Sequence, residues 1–149
     1  MLKDRIATDL KSAMLSGDKT RAENLKMLKS AILYKEVETG ARDEGLADEQ
    51  IVDVLTKEAK KRLDAAEMFD KAGNAEKAAA ERAEHALIGE YLPEQMSDDE
   101  ITTAATTIIA EAGEVSMKDM GKIIGLVKAK VGNTADGSRV AAIVKQKLA

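Results

Sequence analysis

Tyr91-Leu92-Pro93-Glu94-Gln95-Met96-Ser97-Asp98-Asp99-Glu100 is the stretch that decides the fold. Pro93 is the only proline among 149 residues. Helix-period apolar residues run almost up to it, and Ser97 with Glu100 then forms the S-x-x-E pattern of a new helix start. Proline removes a backbone donor and drives the preceding residue out of the helical region. The stretch therefore cuts an otherwise helical chain into an N-terminal helical domain, residues 1–92, and a C-terminal three-helix domain, residues 97–149, hinged near Leu92–Met96.

Working outward from the cut, the upstream pattern gives four helices. The first carries Leu2, Ile6, Leu10, Ala13 and Met14, with Gly17 as its stop and Asp18 as the next cap. The second carries Leu25, Leu28, Ile32 and Val37 and stops at Gly40. Asp48 opens the third, through Ile51, Leu55, Ala59, Leu63, Ala66 and Phe69. Gly73-Asn74 is a stop followed by a cap, and an alanine-rich fourth helix ends at Leu87, Ile88 and Tyr91. Downstream, Ile101, Ala105, Ile108 and Ile109 share a helical period despite two Thr-Thr pairs. Ser116 with Asp119 resembles a cap for a sixth helix, Met117 to Val131. Gly132 ends it, and Asp136 caps a seventh through Val140, Ile143, Val144 and Leu148. The expected class is all-α, a four-helix region plus a three-helix bundle.

Composition agrees and narrows the function. Apolar residues make up 44% and aromatic ones only 2%, so Ala, Leu, Ile, Val and Met must fill the core, which suits close-packed helices. With no cysteine there is no disulfide framework and no thiolate metal site. Residues 1–16 mix charges into their apolar pattern and do not read as a signal peptide. The expected location is cytoplasmic, away from any membrane. The net charge of −4 hides a partition: residues 1–35 balance at +4 and residues 115–149 at +5, around an acidic middle.

Tests for chemistry fail. The single histidine, His85, lies among Glu81, Glu84 and Glu90 and reads as a surface residue, because a metal site needs converging ligands. No catalytic residue, metal or cofactor is expected. Gly121 and Gly125 stand one turn apart inside the sixth helix, where each glycine costs up to about 1 kcal/mol against alanine. Tight helix packing is the first explanation, and close approach of a ligand backbone the second. Basic clusters remain: Lys118, Lys122, Lys128, Lys130 and Arg139 toward the C-terminus, Lys19, Arg21, Lys26 and Lys29 on the second helix, and Lys57 to Arg62 on the third. Without interleaved aromatic residues they suit a structured RNA held by its phosphates better than stacked single strands.

Several stretches together resemble the GatB/YqeY family. They are Leu92-Pro93 before the cap, Asp119-Met120-Gly121-Lys122, Gly132-Asn133-Thr134-Ala135-Asp136-Gly137, and Lys19-x-Arg21 with Leu25 and Leu28. The likeness is to the stand-alone YqeY-like members and covers essentially the whole chain. Asn74 stands where Arg is common in the family, Phe69 where Tyr is common, and Ala65-Ala66 lacks a common Ser. The resemblance implies a four-helix region followed by a three-helix region. In the B subunit of the tRNA-dependent amidotransferase, the similar module is a C-terminal tail that helps engage tRNA. Family labels carry the name of a carbon–nitrogen ligase using glutamine as amide donor, but the catalytic portions of that system have no counterpart in this sequence.

The resulting expectation is a non-catalytic module that binds tRNA or a tRNA-handling protein complex. Lys118, Lys122, Lys128 and Arg139 would contact phosphates. Gly121, Gly125, Gly132 and Gly137 would permit close approach and tight turns. The alternatives are a protein-docking adaptor without RNA contact, and a part in amide transfer only within a complex. The oligomeric state is left open.

Overall fold

A computed structural model describes residues 1–149, with seven α-helices and no strand. They are α1 (Leu2–Ser16), α2 (Lys19–Glu38), α3 (Asp48–Lys71), α4 (Ala75–Gly89), α5 (Asp98–Ala112), α6 (Met120–Val131) and α7 (Gly137–Leu148). Single 3₁₀ turns precede and follow α6. No helix is long and apolar enough to cross a membrane. The chain divides into two compact units, Met1–Leu92 and Pro93–Ala149.

In the first unit α1 packs on α2, and α3 packs closely on α4. The core gathers Ile6, Leu10, Leu25, Leu28, Ile32, Ile51, Leu55, Ile88 and Tyr91. Ala66 of α3 and Ala78 of α4 are both buried, so small side chains let these two helices come close. The caps follow the sequence: Gly17 is left-handed at φ 75, Asp18 accepts from the Arg21 backbone N–H, and Asn74 accepts from that of Lys77. Asp48 is the first residue of α3, as expected. Ala47 stands at the cap position of α3, with the Gln50 side chain accepting from its N–H at 2.9 Å. The Asp48 carboxylate accepts from the Leu2 backbone N–H at 3.0 Å, tying the start of α1 to α3.

Three positions of the apolar pattern turn outward. Met14, Val37 and Leu63 are exposed, and Glu36 occupies the inward position at the end of α2. Glu36 is 1% exposed. Its carboxylate accepts from Lys3 Nζ at 2.6 Å and from the Leu46 backbone N–H at 3.4 Å. This bond to Lys3 holds the Glu36 carboxyl below the ordinary glutamate range, against the opposing effect of burial. The polar loop between α2 and α3 is thereby tied down by a charged group the apolar pattern passed over.

The second unit is a three-helix bundle in which α5, α6 and α7 each pack on the other two. Its core holds Ile101, Ala105, Ile123, Val127, Val140 and Val144. Ser97 and Glu100 form the expected box, with Ser97 Oγ accepting from the Glu100 N–H and the Glu100 carboxylate accepting from the Ser97 N–H. The β-branched threonines stay helical because each hydroxyl donates to a carbonyl one turn back: Thr102 to Asp98, Thr103 to Asp99, Thr106 to Thr102 and Thr107 to Thr103. Residues 93–96 belong to this unit. The Met96 N–H donates to the Thr134 carbonyl at 2.7 Å, Gln95 Nε2 donates to the Asn133 carbonyl at 3.1 Å, and Met96 packs on the core.

Candidate nucleic-acid interface

The C-terminal unit holds every residue expected to touch a ligand, and α6 carries half of them, Gly121, Lys122, Gly125 and Lys128. Its start is set by Ser116 and Asp119: the Asp119 carboxylate accepts from the Ser116 N–H at 2.9 Å, which closes a 3₁₀ turn before Met120. Its inward side is Ile123, Val127 and Val131, spaced four apart and buried. The opposite side is Gly121, Lys122, Gly125, Leu126, Ala129 and Lys130, all exposed. Helical spacing makes this a smooth strip of small residues edged by lysines and one leucine.

The glycines of the strip correct the packing explanation. A Cβ built at Gly121 or at Gly125 would meet nothing within 4 Å. No helix approaches them, so their low helix propensity is not offset by packing inside the unit. Gly132 does carry a turn: φ is 57 there, a region that side chains resist. Gly137 does not. It is the first residue of α7, has no positive φ, and a Cβ on it would only graze Lys128 Cε at 4.0 Å.

The four expected phosphate ligands separate into two kinds. Lys128 Nζ donates to the carbonyls of Gly132 at 3.3 Å and Ala135 at 2.9 Å, so its charge closes the turn between α6 and α7. Arg139 donates to Asp98 Oδ1 from Nε at 3.1 Å and from Nη2 at 2.7 Å, and from Nη2 also to the Met96 carbonyl at 2.9 Å. Both cations are occupied in holding the unit together. Lys118 and Lys122 make no ion pair and no side-chain hydrogen bond, and lie at the start of the glycine strip. Beside the strip a groove of about 540 Å³ runs between α5 and α6, lined by Ile108, Glu111, Ala112, Lys122, Leu126 and Lys130.

The basic clusters of the first unit are partly consumed in the same way. Arg21 pairs with Glu90 at 3.0 Å, Lys61 with Glu58 at 2.9 Å, and Arg62 with both Glu81 and Glu84 at 3.2 Å. Lys19, Lys26, Lys29, Lys57 and Lys60 enter no ion pair. No three of the His, Asp and Glu side chains gather as a metal-binding group. His85 is half-buried rather than fully exposed.

Sequence reasoning missed the pairing of Lys128 and Arg139. Their partners are backbone carbonyls four to forty-three residues away, and Asp98, an acid indistinguishable in sequence from its neighbour Asp99. A family model described as Yqey-like protein matches residues 3–148. No curated protein matches the sequence.

Proposed function

The chain belongs to the YqeY-like protein family, and from that premise we propose that its second unit binds a structured RNA, tRNA foremost. The sugar–phosphate backbone would lie along the Gly121–Gly125 strip of α6. The observation that carries this is the open space over two glycines inside a helix, next to two lysines without partners. Glycine lets a backbone come close, and Lys118 and Lys122 are placed to neutralise its phosphates. Lys128 and Arg139 contribute by holding the α6–α7 turn and the start of α5, not by touching RNA. The absence of aromatic side chains on the strip suits recognition by shape and backbone.

A second reading rests on Leu126 and Met117, both exposed large apolar residues near the same face. They favour an apolar helix of a tRNA-handling protein as the ligand.

One experiment separates the two. Binding of tRNA is measured against salt for the wild type, for Lys118→Ala/Lys122→Ala and for Gly121→Leu/Gly125→Leu. RNA binding predicts a weaker affinity in the lysine variant and a log–log salt slope flatter by about one unit per lost contact. The leucine variant should lose at least about tenfold in affinity while its melting temperature holds, because the added side chains point into open space. Absence of tRNA binding by the wild type at low salt would defeat the RNA reading and leave the protein helix.

A further inference from the structure

The groove between α5 and α6 has two unlike walls. Lys122 and Lys130 stand on the α6 side, and Glu111 stands on the α5 side. They are the only charged groups that line it, over an apolar floor that includes Ile108, Ala112 and Leu126. All three are exposed, and none enters an ion pair or a side-chain hydrogen bond. Elsewhere in the chain, facing charges of opposite sign do pair, as Arg62 does with Glu81 and Glu84, and Arg139 with Asp98. The place of Glu111 adds to its isolation. It lies in the last turn of α5, where the helix dipole is already negative and no basic residue offsets it. A carboxylate so placed gains from a hydrogen-bond donor. Across the groove, Lys122 and Lys130 are eight residues apart, about 12 Å along the helix axis, so they would meet different phosphates.

A ligand that fits both walls carries anions along one edge and hydroxyl donors along the other. The ribose–phosphate backbone is such a ligand. The deoxyribose backbone is not, because it lacks the 2′-hydroxyl. Resting on the RNA reading above, we propose that Glu111 accepts a hydrogen bond from a ribose 2′-hydroxyl in this groove and so selects RNA over DNA, while Lys122 and Lys130 hold phosphates along the α6 wall. The apolar floor lies against the C–H face of the sugar. Glu111 also repels phosphates, and that repulsion acts on every nucleic acid alike. Only a 2′-hydroxyl offsets it. Without that donor the carboxylate stands near phosphates with nothing gained, which turns a general penalty into discrimination between the two sugars.

Two tRNA transcripts of one sequence test this, one with ribose and one with 2′-fluororibose throughout. Fluorine keeps the sugar pucker of RNA but cannot donate a hydrogen bond. The wild type should bind the ribose transcript at least about tenfold more tightly than the fluorinated one. Glu111→Ala should bring the two affinities within about threefold of each other. Glu114→Ala removes an exposed acid that does not line the groove, and should keep the wild-type ratio. Equal binding of the two transcripts by the wild type would overturn the proposal and leave the RNA reading standing. So would an undiminished preference for ribose in Glu111→Ala, which would make Glu111 a repelling charge and nothing more. Binding of neither transcript by the wild type at low salt would remove the RNA reading itself, and this proposal with it.

Discussion

The Tyr91 hydroxyl donates a 2.5 Å hydrogen bond to Asp9 Oδ2 and so joins the end of the first unit to α1 across 82 residues of sequence. Arg5 lies 4.7 Å above the same ring and donates to the Glu90 carbonyl at 3.1 Å, while Arg21 holds the Glu90 carboxylate. The residues just before Pro93 are thus fastened to two helices.

Burial first, and the bond to the Asp9 carboxylate second, push the Tyr91 phenol up to about 12 from an ordinary 10.0. The folded state therefore holds this proton more tightly than the unfolded chain does. Its stabilising effect is complete below pH 10 and is lost as the pH rises through about 12. Tyr91→Phe should lower stability by about 1–2 kcal/mol at pH 7 and flatten the fall in stability between pH 10 and 11. Urea unfolding at pH 7, 9, 10 and 11 checks this. An unchanged alkaline slope in the variant would contradict it.

Lys3→Met should be more harmful than its half-exposed position suggests, because it leaves the buried Glu36 carboxylate without its cation. The expected loss is about 1–3 kcal/mol at pH 7. Glu36 has a lowered pKa in the folded state, so its pairing stabilises fully above the ordinary value of 4.5 and fades as the pH falls below it. The gap between Lys3→Met and wild type should narrow toward pH 3.5. Denaturant melts at both pH values test the sign.

Gly121→Ala and Gly125→Ala should each raise the stability of the C-terminal unit by up to about 1 kcal/mol, since alanine favours the helix and meets no neighbour. Thermal melts measure it. A drop in melting temperature in both variants would show that something packs on this strip.

Lys128 and Lys122 should behave oppositely despite lying on one helix. Lys128→Ala removes the donor to the Gly132 and Ala135 carbonyls and should cost about 1 kcal/mol in stability. Lys122→Ala should leave stability within about 0.5 kcal/mol, as expected of a surface side chain without partners. Chemical denaturation of both variants, side by side, decides it.

Much of the architecture was legible without coordinates, because its causes are local. Pro93 cannot continue a helix, and Ser97, Ser116, Asp18, Asn74 and Asp136 cap through groups two or three residues away. Gly17 and Gly132 stop helices by adopting a φ their neighbours avoid. Four-residue spacing picked out the buried Ile6 and Leu10 of α1, Ile123, Val127 and Val131 of α6, and Val140 and Val144 of α7. The sequence motifs also carried the family. Tertiary structure decided the remainder. α2 is apolar on two sides, so periodicity could not tell Glu36 from Val37 as the buried residue. The choice came from Lys3 and Leu46, which reach it from other segments. Gly121 and Gly125 read as a packing notch until the positions of α5 and α7 showed that no helix lies over them. Lys118, Lys122, Lys128 and Arg139 are equivalent as charges in a sequence. Only the placement of the Met96, Gly132 and Ala135 carbonyls and of Asp98 separates the two that hold the fold from the two that make no ion pair. Local geometry follows from residues within a turn of one another, whereas a side chain's partner is set by where distant segments come to lie.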